Sequence, residues 1–331
     1  MRPSRAVATP QAGEKTAPVT EPRIVTVTVN PTVDIACDAD KVRPIHKIRT
    51  FAEMQDPGGG GVNVARVVHE LGGDVLAIVL AGGFPGKFLE ELLSEERVPS
   101  RALHIAGRTR ISYTVHDRSS LQEYRFVAEG PLVSEAESQA VLAAVEQEPG
   151  DWIVASGSLA PGMPEDFYAR IAAVAARTGR HLALDTSGAP LRRALGRGLA
   201  LIKPSLGEFE MLVGRSLQAP GELEQAAADM VRAGAAERIA VTRGHLGAML
   251  ATAAGVLHLP PIAVEARSAV GAGDSFTGAM VLALARGATD ADAFAWGMAA
   301  GAAAVMHTGT AHPARADVER LHASLRGGVI R

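Results

Sequence analysis

The feature that most constrains the fold of this chain is an alternation of short β-branched segments with segments of helical spacing. A first strand is predicted at Ile24–Val29, which is almost entirely β-branched and ends at Asn30-Pro31. A helix is then predicted at 62–71 and a strand at 75–80, and similar alternation continues to about residue 306. This order predicts an α/β fold, a three-layer sandwich with a mostly parallel central sheet flanked by helices.

Two segments interrupt the alternation and predict a small β lid. Residues 35–56 are polar with little helical period, which is typical of short strands in a projecting lobe. Residues 102–127 resemble three short strands in sequence, at 102–106, 111–117 and 123–127. In sheets of this kind, ligands bind at the carboxyl ends of the strands, so a lid would close over that edge.

Composition bounds the remaining organisation. The net charge is 33 − 36 = −3, which gives no electrostatic footprint for nucleic acid, and no run of 18 apolar residues suggests a membrane span. The single cysteine, Cys37, favours a reducing, cytoplasmic location over a disulfide framework or a multi-cysteine zinc site.

Residues 1–22 are rich in Pro, Ala and Thr and predict a disordered tail, with a transit peptide as the alternative. One domain is expected over 23–331.

A run of four glycines, Gly58–Gly61, precedes the first predicted helix. Four consecutive glycines are costly in backbone entropy, but they suit a backbone that passes close to a ligand at a helix start. Asn63, in the first turn of that helix, offers a donor and an acceptor to a hydroxyl-rich ligand. The alternative is a flexible turn before an ordinary helix.

A second glycine segment, Gly271-Ala272-Gly273, precedes Asp274 at the start of a late helix. Successive backbone N–H groups there can converge on one anion, and the Asp274 carboxylate is placed to accept a hydroxyl proton beside it. This combination is typical of phosphoryl transfer. The helix dipole favours the ionised carboxylate, so a weak base is expected. The alternative is an aspartate that only caps its helix.

A looser set of polar residues surrounds the same predicted edge of the sheet. Asp34 follows the first strand, where its carboxylate could hold sugar hydroxyls. Lys47, Arg49 and Arg110 fall in the predicted lid, and Ser158 follows a strand. Cations carried by a lid can bind a phosphate ester and close on it, although each charge taken alone is typical of a solvated surface.

Three better-known site patterns fail in this sequence. Gly82–Phe88 resembles a phosphate-binding Walker loop but is one residue short, and Phe88 replaces the Ser or Thr that would hold magnesium. Phe276 stands where a dinucleotide site would have its third glycine. No His-Glu-x-x-His pattern occurs. P-loop enzymes, classical dehydrogenases and metalloproteases are therefore not supported.

The two glycine segments, in this order, resemble the PfkB (ribokinase-like) family of carbohydrate kinases from about Ile24 to Leu325. Within that family the pattern is most similar to the type-II bacterial 6-phosphofructokinases. The segments that carry this similarity are Val29–Asp34, Gly58–Arg66, Tyr124–Val127, Ser156–Ser158, Lys203-Pro204 and Val270–Gly278. The resemblance implies a ribokinase-like fold, ATP and Mg²⁺ as cofactors, and K⁺ as a further expected cation.

The resemblance also implies roles for particular residues. Asp274 would be the catalytic base, with Gly271, Ala272 and Gly273 as the anion hole. The implied substrate-binding residues are Asp34, Gly59 and Asn63 for sugar hydroxyls, and Lys47, Arg49, Arg110 and Ser158 for a phosphate. The implied nucleotide and cation residues are Lys203, Ser205, Glu208, Thr242, Gly244 and Gly247 for ATP with its Mg²⁺, and Ser268, Val270 and Gly309 for a monovalent cation.

The implied function is ATP-dependent phosphorylation of a phosphorylated ketohexose, most directly fructose 6-phosphate to fructose 1,6-bisphosphate. A tagatose-6-phosphate kinase and a 1-phosphofructokinase are alternatives within the same chemistry. Ser205, which replaces the asparagine of the family's Asn-x-x-Glu motif, encourages a further alternative, a catalytically weak sugar-phosphate sensor. Because an exposed lid sheet has edges to cover, a homodimer paired through its lids is also expected.

Overall fold

The computed structural model describes residues 21–307 and 312–326. The strands are β1 (Arg23–Thr28), β2 (Thr32–Ala39), β3 (Thr50–Gly58), β4 (Asp74–Ala81), β5 (Ser100–His104), β6 (Arg110–Asp117), β7 (Gln122–Val127), β8 (Trp152–Ser156), β9 (His181–Asp185), β10 (Leu201–Ile202), β11 (Ile239–Thr242), β12 (Ala248–Thr252) and β13 (Gly255–Leu259). The helices are α1 (Gly60–Glu70), α2 (Gly83–Glu95), α3 (Glu135–Gln147), α4 (Phe167–Thr178), α5 (Gly188–Ala194), α6 (Leu206–Val213), α7 (Glu222–Arg232), α8 (Ala272–Ala285), α9 (Asp290–Ala304) and α10 (Arg315–Arg326).

A nine-stranded sheet in the order β13-β12-β11-β10-β9-β8-β1-β4-β5 forms the centre of the molecule. Its strands pair in parallel except at one edge, where β12 pairs antiparallel with both β11 and β13. Because successive side chains of a strand point to opposite faces, Ile24 packs into one apolar cluster, with residues of α1 and α8. Val25 and Val27 pack into the other, with residues of α3 and α4. The predicted three-layer α/β architecture is confirmed.

A separate four-stranded sheet has the order β3-β2-β6-β7. It contains the strands predicted within 35–56 and those predicted at 111–117 and 123–127. The assignment of 102–106 to the lid is wrong, because that segment forms β5, which pairs in parallel with β4 at the edge of the central sheet. Leu103 and Ile105 pack there against the main core, which the short strand pattern alone could not reveal.

The first described residues overlap the end of the predicted N-terminal tail. Residues 1–20 of the predicted 1–22 tail lie outside the described residues. Glu21, also assigned to that tail, accepts a hydrogen bond from Arg286 Nε at 2.6 Å. None of the helices in the described ranges is both long and apolar enough to cross a membrane.

Close packing between α1, α8 and β1 positions the two glycine segments. A Cβ atom at Gly278 would lie 3.1 Å from the carbonyl oxygen of Val64, so glycine lets α8 approach α1. A Cβ atom at Gly61 would lie 2.7 Å from the Val27 carbonyl oxygen, so α1 also starts directly against β1. These contacts bring the beginnings of α1 and α8 together at the carboxyl edge of the sheet.

Candidate active site

Asp274 lies at the centre of this edge, in the first turn of α8. Asn63 of α1 donates a hydrogen bond from Nδ2 to Asp274 Oδ2 at 2.9 Å. Ser156, the last residue of β8, donates from Oγ to Asp274 Oδ1 at 3.4 Å. The structure thus brings the base candidate and the first glycine segment into one cleft. Asn63 Oδ1 is buried without a hydrogen-bond partner among the described residues, which leaves an acceptor for a ligand hydroxyl.

The protonation of Asp274 differs from the expectation of a weak base. The pKa of Asp274 is raised to about 7, first by burial and then by the nearby negative charge of Asp185. The amide of Asn63, the ammonium of Lys203 and the hydroxyl of Ser156 lower the pKa, but less than burial raises it. Burial therefore outweighs the three groups that stabilise the carboxylate, and a pKa near 7 suits a base that works near neutral pH.

A buried ion pair adjoins this carboxylate. Lys203 Nζ lies 3.3 Å from Asp185 Oδ2 at the end of β9, and the Thr277 hydroxyl donates to the same oxygen at 3.3 Å. Burial lowers the pKa of Lys203, but the carboxylates of Asp185, Asp274 and Glu208 raise it more, so its net shift is upward and the ammonium stays charged. A fixed positive charge therefore lies inside the cleft.

The Gly271–Gly273 segment lies beside that charge. Gly271 caps α8 with φ 74°, a left-handed conformation that favours glycine, and the first-turn N–H groups of the helix follow it. A Cβ atom at Gly273 would lie 3.1 Å from Lys203 Nζ, so glycine admits the ammonium next to these amides. Backbone N–H groups, a helix N-terminus and a lysine therefore converge, which is the chemistry of a phosphate pocket.

Asp34 lies in β2, opposite Asp56 of β3. The pKa of Asp34 is raised to about 6. Burial is the main cause and the Asp56 carboxylate adds to it, while the Thr32 hydroxyl, Arg125 and Arg110 act in the opposite direction. The glycine run passes directly beside this carboxyl group: a Cβ atom at residue 58 would lie 2.2 Å from Asp34 Oδ2, and Gly59 has φ 110°.

Arg110 and Ser158 meet around Asn30. The two terminal nitrogens of Arg110 each donate at 2.8 Å, one to the Ala128 carbonyl oxygen and the other to that of Asn30. Asn30 in turn donates from Nδ2 to Ser158 Oγ at 3.3 Å. These contacts bring two of the four predicted phosphate-binding residues into one cluster.

Lys47 and Arg49 are not part of that cluster. Both are exposed, in the loop 40–49 that connects β2 to β3. Within the described part of the chain, neither residue forms a hydrogen bond or an ion pair.

The predicted nucleotide residues lie where β10 and β11 end. Ser205 and Thr242 form a parallel bridge, and the Thr242 N–H donates to the Pro204 carbonyl oxygen at 3.1 Å. Gly244 and Gly247 follow with φ of 56° and 85°, and a Cβ atom at Gly247 would lie 2.2 Å from the Leu259 carbonyl oxygen. Two adjacent loops thus follow these strands, with Gly244 exposed and Gly247 buried against the end of β13.

Ser205, which replaces the asparagine of the Asn-x-x-Glu motif, has a structural role at the start of α6. Its Oγ accepts from the Glu208 N–H at 3.4 Å, while Glu208 Oε2 accepts from the Ser205 N–H at 2.8 Å and from its hydroxyl at 2.7 Å. This reciprocal pair is a capping box at the start of α6, a position where serine is among the best residues. The replacement therefore keeps the helix end and its carboxylate in place.

The donor set fits a magnesium ion that arrives with a nucleotide. No cluster of three or more His, Cys, Asp or Glu side chains that could hold a metal occurs among residues 21–307 and 312–326. Mg²⁺ keeps several waters and needs only one or two carboxylates beside nucleotide phosphates. The Glu208 carboxylate lies close enough to Lys203 to raise the pKa of that lysine.

Of the residues predicted to bind a monovalent cation, Ser268 accepts a hydrogen bond on Oγ from the Val270 N–H at 3.3 Å, and Gly309 lies outside the described residues.

Sequence reasoning missed three members of the cleft: Ser156, Asp185 and Thr277. A signal was available for two of them, because Ser156 and Asp185 are polar residues that end buried strands of the parallel sheet. Thr277 lies one helical turn after Gly273, and its hydroxyl also donates to the Gly273 carbonyl oxygen at 3.0 Å.

Comparison with known proteins agrees with this geometry. The profile of the pfkB family carbohydrate kinases matches residues 28–317. The ATP-dependent 6-phosphofructokinase isozyme 2 of Mycobacterium tuberculosis is 41% identical over 302 residues, covering 91% of this chain and 89% of that protein. The protein of the same name from Escherichia coli is 37% identical over 305 residues, covering 92% of this chain and 99% of that one.

A solved structure extends the likeness to three dimensions. The crystal structure of Escherichia coli phosphofructokinase-2 in complex with fructose-6-phosphate superimposes with a TM-score of 0.87 at 36% identity, covering 92% of this chain and 99% of that one. The resemblance read from the two glycine segments is confirmed over nearly the whole described chain. The chain belongs to the pfkB family of carbohydrate kinases and is a sugar-kinase phosphotransferase.

Proposed function

We propose that this protein transfers the γ-phosphoryl group of ATP to the 1-hydroxyl of fructose 6-phosphate, giving fructose 1,6-bisphosphate and ADP. The observation that carries the proposal is the Asp274 carboxylate, which accepts hydrogen bonds from Asn63 and Ser156 and lies in the first turn of α8, directly after Gly271–Gly273. The Arg110–Ser158 cluster supports a substrate that already carries a phosphate. The names of the relatives with 41% and 37% identity support the same substrate.

Different groups in the cleft accept the proton, bind the transferred phosphoryl group and orient the sugar. Asp274 accepts the proton of the 1-hydroxyl while that oxygen bonds to the γ-phosphorus, and the bond from this phosphorus to the β,γ-bridging oxygen breaks to release ADP. The amides of Gly271–Gly273 and the ammonium of Lys203 hold the transferred phosphoryl group. Asp34, Gly59 and Asn63 orient the sugar hydroxyls, and the four-stranded sheet serves as a lid that excludes water.

The nucleotide binds along Lys203, Ser205, Thr242, Gly244 and Gly247. Mg²⁺, when bound, neutralises charge on the nucleotide phosphates, and Glu208 would hold it through its waters. A monovalent cation near Ser268 and Val270 would add positive charge beside the anion pocket. Because Ser205 completes a capping box and the base and anion pocket are intact, the cleft favours a kinase over a weak sensor.

The substrate assignment is tested by a panel of sugars in a coupled assay for ADP. We expect kcat/KM to be highest for fructose 6-phosphate and about 10⁴-fold lower for fructose, because the half-buried Arg110 guanidinium is left without its anion when the phosphate is missing. Tagatose 6-phosphate and fructose 1-phosphate serve as matched phosphorylated comparisons. A higher kcat/KM with either of them would reassign the substrate.

Replacing the proposed base tests the mechanism. We expect Asp274→Asn to lower kcat by about 10²- to 10⁴-fold with little change in either KM, because the amide keeps the shape but cannot accept the proton. Asp166→Asn, on an exposed carboxylate that pairs with Arg170, is the control and should keep full activity. Near wild-type turnover of Asp274→Asn would contradict the assignment.

The pH dependence follows from the raised pKa of Asp274. Since only the carboxylate can accept a proton, kcat/KM for fructose 6-phosphate should fall as the pH drops through about 7. Asp185→Asn removes a negative charge that raises this pKa, so its acid limb should lie at lower pH than that of the wild type. Profiles of kcat/KM against pH measure both. A limb that stays in place or moves to higher pH would be inconsistent with this coupling.

The exposed sheet supports a homodimer. β3 and β7 are its edges, and the cross-strand pair Tyr113 and Phe126 is 43% and 60% exposed. We expect light scattering to give a dimer for the wild type and a monomer for the Tyr113→Asp/Phe126→Asp variant, because two charges would be buried at the interface. Phe84→Asp, on α2, is a matched exposed control and should remain dimeric. A monomeric wild type would disprove the inference.

A further inference from the structure

We propose that Asn30 is a positioning residue that builds the subsite for the phosphate already carried by the substrate. The inference rests on the proposed function, since it concerns the phosphorylated sugar. Asn30 follows β1 at the carboxyl edge of the central sheet and is only 4% exposed. Its backbone and side chain connect the two residues assigned to that phosphate, Arg110 and Ser158.

The side-chain amide of Asn30 fixes the loop that carries Ser158. Nδ2 donates to the Glu129 carbonyl oxygen at 2.9 Å, to Ser158 Oγ at 3.3 Å and to the Leu159 carbonyl oxygen at 3.4 Å. Because an amide has two N–H groups, the two longer contacts share one of them. Ser158 Oγ therefore accepts a hydrogen bond from Asn30, and the hydroxyl hydrogen of Ser158 remains available to donate to a phosphate.

The backbone of Asn30 fixes the guanidinium of Arg110. The Asn30 carbonyl oxygen accepts from one terminal nitrogen of Arg110, and the Ala128 carbonyl oxygen accepts from the other, both at 2.8 Å. These acceptors are neutral, so they hold the plane of the guanidinium without cancelling its charge. A guanidinium has five N–H groups, so the remaining ones can bind an anion. Arg110 Nε, which is buried, has no partner within the described residues.

Asn30 also joins the two sheets at this point. Its amide contacts the 128–130 loop that leaves β7 of the small sheet, and the loop that leaves β8 of the central sheet. The approach is close: Gly130 has φ 105°, and a Cβ atom there would lie 2.2 Å from Asn30 Oδ1. That oxygen is buried without a partner among the described residues, which costs stability. The side-chain amide is therefore better explained by the placement of Ser158 than by stability alone.

The test compares a phosphorylated and an unphosphorylated sugar on the same variant of the full-length protein. With Asn30→Ala, kcat/KM for fructose 6-phosphate should fall about tenfold or more, because the hydrogen bonds that orient Ser158 are lost. The kcat/KM for fructose and the KM for ATP should change less than twofold. A purely structural role would lower activity toward both sugars together.

Two further variants make the result decisive. Thr26→Val, in the middle of β1, removes a buried hydroxyl that has no partner among the described residues and should leave both sugars unaffected. Asn30→Ser keeps one donor, so its loss with fructose 6-phosphate should lie between those of the wild type and Asn30→Ala. If Asn30→Ala does not fold, the same comparison with Asn30→Ser decides.

The outcomes separate this inference from the proposed function. A wild type that is inactive on every phosphorylated ketohexose refutes the proposed function and, with it, the phosphate subsite. A wild type active on fructose 6-phosphate, with variants that lose activity equally on both sugars or that raise the KM for ATP in parallel, overturns the role of Asn30 alone.

Discussion

The interaction on which the rest of the cleft depends is the buried ion pair between Lys203 and Asp185. Two charges removed from water are tolerated only when each compensates the other, and loss of one partner from such a pair costs about 3–5 kcal/mol. Here the pair also sets the electrostatics of its neighbour. Asp274 senses a lysine that lowers its pKa and an aspartate that raises it, and the balance with burial leaves that pKa near 7. A buried carboxylate without Lys203 nearby would stay protonated to higher pH.

The position of Asp274 depends on glycines that let helices approach closely. Gly278 admits the backbone of α1 on one side of α8. On the other side, Cβ atoms at Gly297 and Gly301 of α9 would lie 3.1 Å and 3.2 Å from the carbonyl oxygens of Phe276 and Ala272. Each glycine within a helix costs about 0.5–1 kcal/mol relative to alanine. α1 and α9 thus contact α8 closely on two sides, and the glycines that allow these contacts lower the stability of the helices that contain them.

Much of this arrangement could be predicted from sequence, because it follows from local patterns. Alternating segments predicted the central sheet, and the two glycine segments predicted a shared cleft at its carboxyl edge. The strand at 102–106 was recognised but assigned to the wrong sheet, since a five-residue pattern does not identify its neighbours. Helix α10 was not predicted, because its sequence is mostly polar and only a few side chains, including Val318 and Leu321, are buried.

Properties that arise only from the tertiary structure were beyond sequence reasoning. The helix dipole, a local argument, predicted a weak base at Asp274, whereas burial among distant segments raises its pKa. The ion pair between Asp185 and Lys203 is another such property, because the two residues lie 18 positions apart in the sequence and meet only when β9 and β10 pair. The sequence alone indicates a departure from the Asn-x-x-Glu motif at Ser205, whereas the structure shows that its reciprocal bonds with Glu208 complete a helix cap.

The two candidate phosphate pockets compensate charge in different ways, and the difference fits the proposed reaction. The phosphate that stays on the sugar would meet Arg110, a full charge held in one orientation by two neutral carbonyl oxygens. The phosphoryl group in transit would meet the amides of Gly271–Gly273, which carry partial charges, together with Lys203. A group that must be held throughout turnover is best bound by a fixed guanidinium. A group whose charge shifts during bond exchange is better stabilised by preoriented backbone dipoles, which neither titrate nor reorganise. Proton transfer is then the separate role of Asp274.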